Sequence, residues 1–277
     1  MFNYVGLKFL SKSNNVNFKL DGRPIYRISG RNPDIFDFKL DGEQQIKGMT
    51  SNTVHQYLDA FIWKRKWLAT HSRRYQSPVL GRDQDIASVL SSRYLRSFFQ
   101  SKEYADNFQS GELKTFFSLK EHSQKLSRMI SSLENESTLV LHIRRGDYRN
   151  HSNDFGLLSL QYYRKAIEIA LAQKIVKNIW IFSDEISATH VLAKYFTEIK
   201  FNYVSKYDFS PAETLKLMSS SKNLVIANST FSWWAAYLSE EAEVYRPETW
   251  FRRESTWLYP DELFPHTWHP IQSEWEI

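Results

Sequence analysis

The sequence contains no cysteine, which excludes disulfide bonds and metal sites built from thiolates. It also contains no apolar run near the ~20 residues that a transmembrane helix requires. The first residues lack the charged start and the small-residue cleavage site of a signal peptide. These absences predict a cytoplasmic protein that is soluble or attached peripherally to the inner face of the membrane.

Charge of neither sign dominates, and there is a small positive excess. The net charge is +5 and the isoelectric point is about 9.1. Such a balance favours anionic partners, such as nucleotides, nucleic acid or an acidic membrane surface, and does not choose among them. Aromatic residues make up 16% of the chain, with nine tryptophans. Their rings suit sugar and nucleobase sites, although packing in a core explains this content equally well.

The second half of the chain alternates between strand and helix patterns. The sequence SPAE at 210–213 is a capping box with proline at the first helical position, and it predicts a helix start. Strand–helix alternation predicts an α/β fold with a parallel sheet covered on both faces, and ligands bind beyond the carboxyl ends of such strands. The predicted strands are 138–143, 178–183, 199–204, 223–228 and 242–247.

The first half of the chain is less regular. We predict an amphipathic helix at its start, a strand at 16–20, and helices near 86–100 and 112–134. The polar stretch SSLENES is the predicted boundary between two domains, at 1–135 and 136–277. The last residues of the chain are candidates for returning to the first domain.

The stretch TLVLHIRRGDYRN carries the strongest chemical signal. Its apolar part predicts a buried strand, so His142, Arg144 and Arg145 emerge at the carboxyl end. Adjacent guanidiniums require an anion or a carboxylate to neutralise them, and a nucleotide diphosphate fits this need without a metal. The alternative is an ion pair between Arg145 and Asp147. An adhesive Arg-Gly-Asp function is disfavoured because the tripeptide directly follows a core strand.

Two further polar stretches follow predicted strands and point to the same crevice. A predicted strand meets a helix N-terminus at Asn228, Ser229 and Thr230. The amides and hydroxyls of these residues form an anion-binding site, or a hydroxyl only caps the helix. Asp184 lies in the sequence IFSDE. One interpretation is that its carboxylate orients a sugar hydroxyl or the edge of a guanine base, and the other is that it caps the next helix.

Two other groups of charged residues are better explained by exposure to solvent than by a binding site. The sequence DQD at 83–85 has the spacing of a metal–diphosphate site, but it precedes a predicted helix, so solvated capping is favoured. The segment 63–75 mixes five basic residues with aromatics and fits a solvated helix face. Among functional interpretations of that segment we prefer contact with an anionic membrane to binding of nucleic acid, and we expect no nucleic-acid partner.

Taken in order, HIRRGDY, FSDE, LMSSSKNLVIANSTFSWWAAYL and RPETWF resemble the motifs of the alpha-1,2-fucosyltransferase family. FFQSKEYADNF at 98–108 resembles a weaker family element, and the resemblance covers residues 98–251. It implies a GT-B fold of two Rossmann-like domains, with an acceptor-side domain followed by a GDP-fucose-binding domain. It also implies an inverting, metal-independent transfer of fucose from GDP-fucose to the 2-hydroxyl of a galactose-containing glycan at a bacterial surface.

The resemblance also implies roles for individual residues. Arg144 would bind the β-phosphate and stabilise the departing GDP, and Arg145 would support it structurally or bind the other phosphate. Asp147 would hold the arginines, and both Asp147 and Asp154 are candidates for the catalytic base. We expect no metal ligand and no cofactor. The expected GDP-fucose-binding residues are His142, Arg144, Arg145, Asp184, Asn228, Ser229, Thr230 and Ser232.

The start of the chain departs from the family pattern. Family members open with a strand and a glycine-rich turn that ends in Gly-Asn-Gln, followed by Met-Phe and an aromatic residue. Because this chain begins with MFNYVGLKFL, we expect its N-terminal domain to lack the first strand and the glycine loop. Three alternatives to the leading function stay open: a truncated remnant that binds GDP-sugar without turnover, a fucosyltransferase of another linkage, and a nucleic-acid binder.

Overall fold

The chain divides into two compact units, which a computed structural model describes. One unit comprises Met1–Phe116 and Thr256–Phe264, and the other comprises Phe117–Ser255 and Pro265–Ile277. The sequence placed the boundary after residue 135, whereas the observed division falls at residue 116. The described residues are 1–21, 33–40, 45–46, 74–86, 94–135, 137–153, 155–253 and 260–276.

The described residues form helices and short strands in the following order. The helices are α1 (Phe2–Asn14), α2 (Lys102–Ala105), α3 (Ser110–Phe116), α4 (Gln124–Asn135), α5 (Leu160–Gln173), α6 (Ile186–Ala193), α7 (Pro211–Met218), α8 (Thr230–Tyr237) and α9 (Pro260–Leu263). The strands are β1 (Leu20–Asp21), β2 (Gln45–Ile46), β3 (Arg74–Gln76), β4 (Tyr94–Arg96), β5 (Thr138–Ile143), β6 (Asn178–Ser183), β7 (Lys200–Tyr203), β8 (Asn223–Val225), β9 (Glu243–Pro247) and β10 (His269–Ile271). Short 3-10 helices occupy Asp34–Asp37, Asp147–His151 and Val204–Tyr207.

The first unit contains two pairs of parallel strands, β1 with β2 and β3 with β4. Helix α1 confirms the predicted N-terminal helix, and its buried Tyr4 packs edge-on against Phe116 at 5.7 Å between ring centres. A Cβ on Gly6 would lie 2.3 Å from the ring of Phe99, so glycine allows that ring to rest on the helix. The predicted helix near 86–100 is wrong over β4, which pairs in parallel with β3.

The acidic sequence at 83–85 supports a turn. The carboxylate of Asp83 accepts hydrogen bonds from the hydroxyl of Tyr75 at 2.6 Å and from the amide of Asp85 at 3.0 Å. Asp83 is buried, so the expectation of solvated capping is wrong for this residue. Its hydrogen bonds instead tie the turn to strand β3.

The second unit is built on a six-stranded parallel sheet with the order β10-β9-β8-β5-β6-β7. The sheet confirms the predicted α/β fold, and β5 and β6 have the predicted bounds. The chain winds from β5 to one edge of the sheet, and β8 then resumes on the other side of β5. This reversal places a topological switch point between β5 and β8, where α/β sheets bind their ligands.

Both faces of this sheet are covered. Leu139, Leu141 and Ile143 of β5 point to one face and join a buried cluster that includes the inner side of α5. Strand alternation directs His142 to the opposite face. Trp233 and Trp234 of α8 are both buried, so these two rings contribute to the core.

Helix α4 belongs to the second unit by its contacts. It packs against α7, and Lys125 near its start donates to the carbonyl of Tyr207 at 2.6 Å. The capping box at the start of α7 is confirmed, because Ser210 and Glu213 exchange both hydrogen bonds. Because α4 contacts residues of the second unit, the boundary between the two units lies before α4 in the sequence.

Within the part of the chain that the structure describes, no helix has both the length and the apolar character needed to cross a bilayer.

Candidate active site

Polar side chains follow three neighbouring strands at the carboxyl edge of the second unit's sheet. Arg144 and Arg145 follow β5, Asp184 follows β6, and Ser229 follows the residues after β8. Because β8, β5 and β6 are adjacent in the sheet, these residues lie at the switch point. The sequence therefore predicted correctly which strand ends come together.

Arg144 is fixed by two carboxylates. Its Nη2 lies 2.9 Å from Oδ2 of Asp147, and its Nη1 lies 3.1 Å from Oδ2 of Asp184. The guanidinium also lies over the ring of Tyr148, 5.8 Å from the ring centre. The side chain is still 34% exposed. Arg144 thus combines a fixed orientation with access to a ligand.

Asp184 binds the arginines and does not cap the following helix. Its Oδ1 accepts from the backbone amide of Arg145 at 2.9 Å, and its Oδ2 faces Arg144. The N-cap of α6 is Glu185, so the alternative that Asp184 caps this helix is wrong. Gly146 makes the approach possible, because a Cβ there would lie 2.9 Å from Oδ2 of Asp184.

Arg145 is buried and is occupied by carboxylates. Its Nη1 and Nη2 donate to the two oxygens of Glu276 at 2.5 and 2.8 Å, and its Nε lies 3.6 Å from Oε2 of Glu185. The predicted alternative pair between Arg145 and Asp147 is wrong, because Asp147 pairs with Arg144. Direct binding of a phosphate by Arg145 would require the fork with Glu276 to open.

The carboxylates of the cluster outnumber its guanidiniums. A third guanidinium, that of Arg149, donates to both oxygens of Glu185 at 2.9 and 2.6 Å. This hydrogen bonding is the main cause that lowers the pKa of Glu185. The three guanidiniums of the cluster therefore face four carboxylates, and the two adjacent arginines are neutralised by the protein itself. A diphosphate must compete with these carboxylates to reach Arg144.

His142 is a neutral group at the edge of the cluster. Burial, and secondarily the nearby Arg144, lower its pKa to about 4. Its ring lies 5.6 Å from that of Phe231, and its Nδ1 has no hydrogen-bond partner among the described residues. At neutral pH the imidazole is therefore uncharged. Contact between His142 and the nucleotide remains a prediction.

The residues after β8 shape the start of α8. Ser229 is the N-cap, and its Oγ accepts from the amide of Phe231 at 3.3 Å, which confirms capping. Thr230 is the first helical residue and is half-buried. Ser232 is fully buried, and its hydroxyl donates to the carbonyls of Ala227 and Ser229 at 3.2 and 3.1 Å. Ser229 and Thr230 thus lie at the helix N-terminus, whereas Ser232 supports the turn from within.

Asn228 and Tyr148 connect the loops around the site. The side-chain amide of Asn228 donates to the carbonyls of Phe155 and Gly156 at 2.9 and 3.3 Å. The hydroxyl of Tyr148 donates to the carbonyl of Asn228 at 2.9 Å, and burial raises the pKa of this tyrosine to about 12. Tyr148 therefore links the loop that carries Arg144 to the start of α8.

Sequence reasoning missed three residues of this cluster, namely Tyr148, Arg149 and Glu276. Tyr148 stands beside Asp147 in the quoted motif, and that position was the available signal. Glu276 lies 131 residues from its partner Arg145, and no local pattern indicates the contact. Asp154 lies outside the described residues, so its assignment as a base remains a prediction.

A separate shallow cavity of about 320 Å³ lies between α4 and the edge of the sheet. Its lining includes Lys125, Arg128, Trp180 and Tyr207, and it shares no residue with the arginine cluster. The cluster remains our candidate active site because it joins ionic groups at the switch point. In the described ranges, no group of three or more His, Asp or Glu side chains could hold a metal ion.

Comparisons with known proteins agree with the motifs. A model of "Glycosyl transferase family 11" matches residues 67–268. The O-antigen biosynthesis glycosyltransferase WbnK of Escherichia coli is 40% identical over 124 residues, which are 43% of this chain and 40% of that protein. An alpha-1,2-colitosyltransferase of Escherichia coli is 29% identical over 216 residues, which are 74% of this chain and 71% of that protein.

Among solved structures, NodZ alpha-1,6-fucosyltransferase soaked with GDP-fucose aligns with a TM-score of 0.46 and 10% identity, over 86% of this chain and 87% of that one. POFUT1 in complex with GDP aligns with a TM-score of 0.39 and 14% identity, over 72% of this chain and 69% of that one. The family model covers most of the chain and confirms the family predicted from the motifs. The chain belongs to glycosyl transferase family 11 and is a glycosyltransferase.

Proposed function

We propose that this enzyme transfers L-fucose from GDP-fucose to the 2-hydroxyl of a galactoside, with inversion and without a metal. One observation carries the proposal. The preorganised guanidinium of Arg144 lies at the switch point of a doubly wound sheet, and the capped N-terminus of α8 follows the adjacent strand. Helix N-termini and arginines are the groups that α/β proteins use to bind phosphates.

The chemistry follows from this arrangement. As the bond between the sugar and the β-phosphate oxygen breaks, negative charge grows on that oxygen and positive charge grows on the sugar ring. Arg144 stabilises the developing negative charge, and its fixed orientation avoids reorganisation at the moment of reaction. The acceptor hydroxyl attacks the sugar carbon from the opposite face, which inverts the configuration, and the hydroxyl proton passes to a base.

Asp147 and Asp154 are the two candidates for this base. Asp147 is already engaged by Arg144 at 2.9 Å, so accepting a proton would weaken the contact that orients the guanidinium. This conflict favours Asp154 as the base and leaves Asp147 as a support for Arg144. Replacing each residue by asparagine separates the two roles, because loss of the base removes transfer while GDP binding remains.

The expected acceptor is a galactose-containing surface glycan. The two Escherichia coli relatives support this proposal, since one is named for O-antigen biosynthesis and the other for an alpha-1,2 linkage. For such an acceptor we propose a cytoplasmic location, with peripheral contact to anionic lipid at the inner membrane. The basic segment 63–75 that we proposed for this contact lies largely outside the described residues.

The test is incubation of the purified chain with GDP-fucose and a panel of β-galactosides, followed by mass and linkage analysis. We expect a 2-linked fucosyl product whose formation is unchanged by EDTA. Loss of transfer with EDTA and recovery with manganese would overturn the metal-independent mechanism. A product linked elsewhere would overturn the assignment of the 2-hydroxyl and retain the family chemistry. Binding of GDP without any product would favour the truncated remnant.

Transfer of colitose is a second candidate function. It is favoured by the alpha-1,2-colitosyltransferase, which aligns over 74% of this chain. A competition between GDP-fucose and GDP-activated colitose at equal concentration distinguishes the two donors, since the ratio of products reports the ratio of kcat/KM values.

A further inference from the structure

A buried ion pair connects the candidate active site to a residue far outside the motif. The side chain of Arg145 is only 5% exposed, and its two terminal nitrogens donate to the two oxygens of Glu276. Two parallel bonds of this kind fix both the direction and the plane of a guanidinium. Arg145 is thus oriented toward Glu276 and away from solvent.

Backbone contacts that do not depend on the ion pair bring Glu276 to this position. The amide of Glu276 donates to the carbonyl of Leu157 at 2.7 Å, and the amide of Ser159 donates to the carbonyl of Glu274 at 2.7 Å. The segment 274–276 therefore lies antiparallel to the residues just before α5. These bonds predict that the segment keeps its path when the side chain of Glu276 is changed.

Gly156 makes room for this segment. Its φ angle is +81°, and a Cβ at this position would lie 2.5 Å from the ring of Trp275. A left-handed backbone and a close ring are both tolerated by glycine and by few other residues. The loop before α5 is thus shaped to accept the segment that carries Glu276.

Contacts lead from Glu276 to Arg144 through two residues. The backbone amide of Arg145 donates to Oδ1 of Asp184 at 2.9 Å, and Oδ2 of Asp184 pairs with Nη1 of Arg144 at 3.1 Å. We propose that Glu276 is a positioning residue that fixes the orientation of Arg144 through Arg145 and Asp184. This inference rests on the proposed function, in which Arg144 stabilises the departing diphosphate.

Glu276 can influence Arg144 because an unpaired buried charge costs free energy. A guanidinium without a partner in a buried site is strongly unfavourable. If Glu276 were neutral, the guanidinium of Arg145 would turn toward Glu185, whose Oε2 lies 3.6 Å from its Nε. Because the backbone amide of Arg145 holds Oδ1 of Asp184, this movement would displace Asp184 from Arg144, which would lose one of its two orienting partners.

The test compares Glu276→Gln with the matched control Glu274→Gln. The two carboxylates lie on the same segment and are equally exposed, at 31%, but Glu274 pairs with Lys165 on the outer side of α5. We expect Glu276→Gln to lower kcat about tenfold or more, because a small misplacement of a catalytic group costs up to about 100-fold. Glu274→Gln should stay within about twofold of the wild-type rate. Glu276→Asp keeps the charge and should restore part of the rate.

A double-mutant cycle separates positioning from a general loss of structure. If Glu276 acts through Arg144, Glu276→Gln should lower the rate of an Arg144→Ala enzyme by less than about twofold. An equal loss on both backgrounds would overturn the proposal, as would a Glu276→Gln enzyme that matches Glu274→Gln. Urea unfolding of each variant shows whether it is folded under the assay conditions.

GDP titration by calorimetry tests the same idea without requiring transfer. GDP carries on its β-phosphate the charge that Arg144 meets once the sugar has left, so we expect Glu276→Gln to weaken GDP binding about tenfold and Glu274→Gln to leave it unchanged. An Arg144→Ala enzyme with the wild-type rate would overturn the proposed mechanism. Loss of activity in Arg144→Ala with full activity in Glu276→Gln would overturn this inference alone. Absence of GDP binding by the wild-type chain would overturn both.

Discussion

Replacement of Gly146 by alanine tests whether the site depends on the close approach of Asp184. The added Cβ would lie 2.9 Å from Oδ2 and 3.2 Å from Cγ of Asp184. Both distances are shorter than ordinary carbon contacts, so the carboxylate must move away. That movement strains two interactions at once, namely the hydrogen bond from the amide of Arg145 and the ion pair with Arg144.

The size of the effect follows from these two interactions. A hydrogen bond to a charged group contributes about 1.5–3 kcal/mol, and a displaced carboxylate loses part of it. We therefore expect Gly146→Ala to lower the free energy of unfolding by about 1–2 kcal/mol. Arg144 would lose one orienting partner, and we expect kcat/KM to fall by about 10–100-fold.

The assays are urea unfolding and the initial rate of sugar transfer. The matched control is Gly111→Ala on α3, where a Cβ meets no atom within 4 Å. This control should gain about 0.5–1 kcal/mol of stability, because alanine favours a helix over glycine, and it should keep full activity. Gly146→Ala combined with Asp184→Ala should be no worse than Asp184→Ala alone, since the clash is then absent. A Gly146→Ala enzyme with the wild-type rate would refute the need for the close approach.

Three further changes test other parts of the site. Arg144→Ala should lower the transfer rate at least ~100-fold, as removal of one transition-state donor does, and a near-normal rate would contradict its role. Ser229→Ala removes the cap of α8 and should cost about 1 kcal/mol in urea unfolding. The lowered pKa of His142 favours the folded state above pH 6.5 and predicts a loss of stability as pH falls toward 4, of up to about 3 kcal/mol. His142→Gln should flatten this loss in pH-dependent unfolding, and an unchanged slope would contradict its assignment to the histidine.

The parts of the fold that the sequence predicted best are those buried on both faces. Strands β5 and β6 read as continuous apolar runs bounded by polar residues, and their bounds were correct. Strand β10 was missed because it has only three residues and includes a proline. The predicted helix at 112–134 is interrupted between α3 and α4, since short amphipathic patterns do not show where a chain turns.

The sequence predicted where the candidate site lies, but it did not predict which charged residues pair with one another there. Parallel strands bring their carboxyl ends to one edge, so the position of Arg144, Asp184 and Ser229 at neighbouring strand ends follows from the strand pattern. The choice of partner depends on the direction of each side chain and on distant residues. Arg145 was expected to pair with Asp147 or a phosphate, yet it pairs with Glu276, which a local pattern cannot indicate.

The different roles of the two adjacent arginines explain how a cluster with more carboxylates than guanidiniums can serve an anionic leaving group. Arg145 is buried and donates both terminal nitrogens to Glu276, whereas Arg144 is held by two carboxylates and remains one-third exposed. The carboxylates around Arg144 weaken its attraction for a ground-state diphosphate, because the guanidinium is already neutralised. They also fix its orientation, so the charge that develops as the sugar departs meets a donor already in place. An interaction that strengthens only as the bond breaks raises kcat, whereas uniform binding of the donor would not.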